Sequence, residues 1–205
     1  MESMNSVAIE ETKREGINPH KFALWIGMGS IIMMFTGWTS AYIVKHAAGN
    51  WLEFGLPSMF YASTVTIILS SVALHLSYIG YKKQRELMYK GLLVLAFILG
   101  ITFVVMQYLG WMQLFGMGVD FKANVAGSFT YLITAAHAVH VLGGIAAIVV
   151  AMVHAFTLRF RYTEKRKNRF ELVLQYWHFV DIVWIFLFPL LYLLGRHFLA
   201  GGGGH

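Results

Sequence analysis

The sequence predicts an all-α integral membrane protein: a bundle of five transmembrane helices with a cytoplasmic N-terminus and an external C-terminus. Three observations carry this. First, 58% of the 205 residues are hydrophobic and 13% charged, and the apolar residues gather in long uncharged blocks instead of the interrupted pattern of a soluble core. Second, the blocks run 22–44, 54–81, 91–119, 123–158 and 172–195, the last broken only by Asp181. Each exceeds the roughly 20 residues a helix needs to cross about 30 Å of hydrocarbon, and none shows the short alternation of barrel strands. Third, lysine and arginine alternate around the blocks: three before the first, four between the second and third and six between the fourth and fifth, against one in each other segment. The positive-inside rule turns that alternation into the orientation.

Taken in order, residues 1–18, rich in Glu and Ser, are expected to form a mobile cytoplasmic extension ahead of Pro19. The polar, mixed-charge stretch 1–21 and the full length of the first block argue for a span there, not a cleavable signal peptide. One transmembrane domain is expected over 19–200, with 201–205 a flexible glycine-rich tail. Trp25, Trp38, Trp51, Trp111, Tyr42, Tyr108 and Tyr162 fall near span ends and read as interfacial anchors. If wholly helical, 123–158 is about 50 Å long, so the fourth span is expected to tilt strongly or protrude.

That fourth span carries His137 and His140, three apart and so on one face. They read as helix-packing groups or as candidate metal or haem ligands, a bis-histidine haem drawing its second ligand from His75, His154 or His178. Gly143, Ala147, Ala151 and Ala155 then recur every four positions, a row that suits close helix approach in lipid. On the fifth span Glu171, Gln175, His178 and Asp181 form one polar stripe. Asp181 lies about 15 Å along the axis from Glu171. An aspartate at bilayer depth costs roughly 2.5–3.5 kcal/mol, so it needs a partner or a water path. The stripe is therefore packing glue or part of a proton path, and its depth matches that of the histidine pair.

Several classes are excluded. The absence of cysteine removes disulfides, thiolate metal sites and iron–sulfur clusters. There is no phosphate loop, nucleophile elbow or zinc helix, so no catalytic residue is assigned. The net charge of +6 follows the membrane and not a nucleic acid. The basic run 159–169 reads as a topogenic loop touching anionic headgroups.

Tyr176-Trp177-His178-Phe179-Val180-Asp181-Ile182-Val183-Trp184, preceded by Phe170-Glu171, closely resembles the last helix of subunit III of haem-copper respiratory oxidases. His137-Ala138-Val139-His140-Val141-Leu142-Gly143-Gly144 resembles the helix before it. Weaker likeness runs through Gln107, Leu69-Ser70-Ser71, Pro57 and Phe35-Thr36-Gly37. The chain looks like the family's short, five-helix form. The resemblance implies a subunit of the bacterial cytoplasmic membrane without haem, copper or other cofactor of its own. It implies packing on the haem-copper catalytic subunit I beside other oxidase subunits, bound phospholipid, and support for proton uptake in a proton-pumping complex that reduces oxygen with electrons from cytochrome c or quinol. His137, His140, Gly143, Ala147, Trp177 and Trp184 are then expected helix–helix contacts. Two positions depart from the pattern, since acids common in relatives are replaced by Ile31 and Gly110. The alternatives are a partner of a nitric oxide reductase and a stand-alone membrane haem or metal protein using His137 and His140.

Overall fold

A computed structural model describes residues 19–47, 54–119 and 125–196. The expected extension over 1–18, Trp51, Lys122 and the tail 201–205 lie outside the described residues. Five helices follow in order: α1 Pro19–Ala47, α2 Ser58–Lys82, α3 Glu86–Gly116, α4 Val125–Thr157 and α5 Glu164–Arg196. All five are long and apolar enough to cross a membrane. Pro19 opens α1, where a missing N–H costs nothing because the first-turn donors have no intrahelical acceptor.

Helices α2 and α3 form the most intimate pair. Their hairpin closes in three residues: Gln84 takes φ 56, and the Lys83 and Arg85 N–H groups return to the carbonyls of Ile79 and Gly80, both at 2.9 Å. This satisfies carbonyls that a helix end otherwise leaves open. Gly80 is required by crowding, since a Cβ there would lie 3.0 Å from the Tyr89 backbone nitrogen. Small hydroxyls then stitch the pair together. Ser77 donates to the Tyr89 carbonyl (2.8 Å), Ser70 to that of Ala96 (2.9 Å), and Gln107 donates to Ser63 (2.9 Å). Between apolar helices in lipid, such bonds and close packing do the work that hydrophobic burial does in water.

The hairpin continues into a closed four-helix ring. Helix α3 meets α4, where Trp111 donates to Thr134 at 3.0 Å, and α5 packs on both α4 and α2. Outside the ring, α1 lies against α4 and α5 and, among the described residues, touches neither α2 nor α3. Phe35 and Tyr42 hold it there against Ile133, Leu187 and Leu191.

One expectation about packing needs correction. Tyr42, read as an interfacial anchor, is 1% exposed and belongs to the core, whereas Trp25 and Tyr108 do face outward. At 3.6 residues per turn, steps of four drift about 40° each, so the row Gly143, Ala147, Ala151, Ala155 turns from an exposed start into the core, where Ala151 packs and Ala155 is fully buried. Gly143 is exposed and would meet only the Tyr176 hydroxyl, at 3.4 Å. The close approach is one residue on: a Cβ on Gly144 would stand 2.8 Å from Cε3 of Trp177, and one on Gly100 would stand 2.9 Å from its Cη2. The Trp177 indole is thus wedged between α3 and α4.

Candidate functional site

The polar groups of α5 meet α2. Glu171 accepts from the Tyr78 hydroxyl at 2.7 Å and from Lys21 of α1 at 3.1 Å. Seven residues deeper, His178 Nδ1 shares a 2.5 Å hydrogen bond with the Ser71 hydroxyl, while its Nε2 stands 3.3 Å from Nδ1 of His75. Ser71 also lies beside the carboxyl of Asp181, which is 7% exposed and whose Oδ1 has no hydrogen-bond partner among the described residues. Further along, the Trp184 indole donates to Thr64 at 2.9 Å. The two helices run antiparallel, so increasing numbers on α5 pair with decreasing numbers on α2.

On the α2 side of this seam the sequence singled out only Ser71, within the Leu69-Ser70-Ser71 likeness, and not its pairing with α5. Thr64, Ser71 and Tyr78 are hydroxyls exactly seven apart, which keeps them on one face. That repeat was visible in the sequence, but hydroxyls in an apolar span carry no charge to flag them. His75, considered only as a haem ligand, is the neighbour of His178.

His137 and His140 do not face the stripe. His137 is fully buried, and its Nε2 donates to the Val180 carbonyl at 3.1 Å. A carbonyl only accepts, so the proton sits on Nε2 and leaves Nδ1 as a buried lone pair without a partner among the described residues. The rings of Phe103 and Trp184 enclose it, the latter at 4.9 Å. His140 Nδ1 donates to Ala136 at 2.7 Å within its own helix, and its carbonyl accepts from Tyr176 at 3.1 Å. Among the described residues no three His, Asp or Glu side chains gather as metal ligands would. Ala147 lies half-buried on α4 away from the seam, Gln175 carries a buried Oε1 without a described partner, and Trp184 is fully enclosed.

Where α4 gives way to α5, a cavity of about 320 Å³ has an apolar wall of Ala147, Ala151 and Val173 and a rim that includes Arg159, Arg161 and Arg169. Tyr81 pins this turn, donating to the Arg161 carbonyl (3.3 Å) and accepting from the Thr163 N–H (3.2 Å). In the same turn Tyr162 donates to Glu164 at 2.9 Å, and that bond raises its phenol pKa above the ordinary value.

The sequence pattern of the cytochrome c oxidase subunit III family matches residues 23–196. The chain belongs to that family. A "Probable cytochrome c oxidase subunit 3" of Mycobacterium bovis is 29% identical over 174 residues, covering 82% of this chain and 85% of the relative. The "Cytochrome c oxidase subunit 3" of Corynebacterium diphtheriae is 31% identical over 173 residues, covering 80% and 82%. A "Heme-copper oxidase subunit I+III" of Aeropyrum pernix is 26% identical over 182 residues, covering 84% of this chain and 22% of that longer protein. This subunit III of a haem-copper oxidase is a multi-pass protein of the bacterial cytoplasmic membrane. At its two departures from the pattern, Ile31 packs half-buried against the core of α1, and a Cβ on Gly110 would meet the Phe60 ring at 2.8 Å. An aromatic ring therefore crowds the second position.

Proposed function

We propose that this subunit III is a scaffold without a redox centre of its own. It packs on the haem-copper catalytic subunit I beside other oxidase subunits, with its N-terminus cytoplasmic and its C-terminus external. It prolongs the working life of a complex that reduces oxygen to water and pumps protons. The observation that carries this is the α2–α5 seam: Glu171 with Tyr78, His178 with Ser71 and Trp184 with Thr64 lock the central helix in place. Asp181 at the deep end is read as packing glue. The Aeropyrum pernix relative, named for subunits I and III in one chain, supports close placement of the two.

The apolar cavity with its arginine rim suits an anionic phospholipid, acyl chain on the wall and phosphate among the guanidiniums. Deleting the chain's gene tests the role. The oxidase left behind should begin turnover at a comparable rate and lose activity sooner; an unchanged lifetime contradicts the proposal.

A further inference from the structure

His75 of α2 and His178 of α5 bring two imidazoles together across the seam. Nδ1 of His75 stands 3.3 Å from Nε2 of His178, with ring centroids 5.5 Å apart and planes at 43°. Two nitrogens on one tetrahedral zinc, with bonds of about 2.0–2.1 Å, stand roughly 3.3–3.4 Å apart. The pair is therefore already spaced as one edge of such a site. His137 and His140 differ, since each spends a ring nitrogen on a backbone carbonyl.

The surroundings prepare His178 for the role. Its Nδ1 shares a 2.5 Å hydrogen bond with the Ser71 hydroxyl, and Ser71 lies beside the Asp181 carboxyl. A carboxylate only accepts, so a Ser71 hydroxyl turned to Asp181 accepts in its turn from Nδ1–H of His178. That tautomer leaves the Nε2 lone pair facing His75. Metal-binding imidazoles pass their other N–H to a neighbouring acceptor in this way, which fixes the ring and raises its basicity. His75 is exposed, and its proton moves from Nδ1 to Nε2 when a cation replaces the shared hydrogen. Both imidazoles stay neutral, and the bond to Ser71 is kept. Asp181, buried three residues beyond His178, counters the charge of a dication inside a span. No third His, Asp or Glu completes the set among the described residues, so water fills the remaining positions. His75 lies seven residues from the Lys82 end of α2, about 10 Å along the axis, which keeps the route for ion and water short.

We propose that His75 and His178 bind a zinc ion that clips α2 to α5, with Ser71 and Asp181 orienting His178 and water completing the coordination. The site goes beyond the scaffold role and does not depend on which subunits surround the chain. The test treats the complex purified through this chain with EDTA and dialyses it against micromolar zinc chloride. His75→Ala, which leaves Ser71 and His178 bonded, is handled alongside. Wild type should retain one zinc more per complex than the variant, a difference in which zinc held elsewhere cancels. X-ray absorption of that extra zinc should show imidazole nitrogens at about 2.0 Å. Zinc should also raise the thermal midpoint of the wild-type complex and leave that of His75→Ala unchanged. Equal zinc content in the two, or an extra zinc without imidazole ligands, overturns the site and leaves the pair as a hydrogen bond. Ser71→Ala keeps both ligands and should weaken zinc binding about ten- to a hundred-fold; unchanged affinity overturns the orienting role of Ser71 and Asp181.

Discussion

Asp181 shows how one side chain constrains two helices. Its carboxyl is buried beside Ser71 with one oxygen free of any described partner, so its shape and hydrogen-bonding capacity matter. Asp181→Asn keeps both and should retain the fold and partial assembly. Asp181→Leu leaves the facing polar groups unpaired and should cost about 1–3 kcal/mol, seen as a lower thermal midpoint of the purified complex. A turnover loss in Asp181→Asn with normal assembly would point to proton transfer instead. Trp177 makes the complementary case from packing. Gly144→Ala sets a methyl against a fully buried indole, and overpacking of this kind costs about 1–3 kcal/mol. Trp177→Phe in that background should recover part of the lost midpoint. Asp181 announced itself in the sequence because acids are rare in spans. The wedge of Trp177 did not, because its two glycines sit on separate helices and only the fold brings them together.

At the scale of the element, the five spans were legible and their ends less so. The fifth apolar block starts at 172, yet α5 begins at Glu164. Charged residues end a hydropathy block without ending a helix, and Lys167 pairs with Glu164 one turn on, at 3.2 Å. The partner of the α5 stripe was not legible, because periodicity says which residues share a face and not which helix that face meets. The contacts lie with α2, so Ser71→Ala should loosen α5, while His140→Ala should leave the seam intact. Hydrogen exchange of α5 amides in detergent separates the two. The tie from α1 is weaker. Lys21 and Glu171 are 31% and 21% exposed, so Lys21→Ala should cost under about 1 kcal/mol and speed exchange only in the first turns of α1. Faster exchange along the whole helix would mean that this pair, not the Phe35 and Tyr42 contacts, holds α1.

For the whole molecule, α2, α3, α4 and α5 close into a ring in which α5 is bonded to α2 and wedged against α4, while α1 stands outside it against α4 and α5. That design suits a subunit that stiffens a larger assembly. The phospholipid proposed for the arginine-rimmed cavity is open to test: replacing Arg159 and Arg169 with Gln should lower the phospholipid retained after delipidation, as mass spectrometry of the extracted lipids would show. The central claim is that this chain lives on a haem-copper catalytic subunit. An affinity tag on the chain, mild solubilisation of native membranes and an optical spectrum of the purified material test it most directly. Haem absorption in constant ratio to this chain, carried by a co-purified catalytic subunit, is the predicted result. A colourless chain purified alone from membranes that retain active oxidase, or haem bound to this chain by itself, would contradict it.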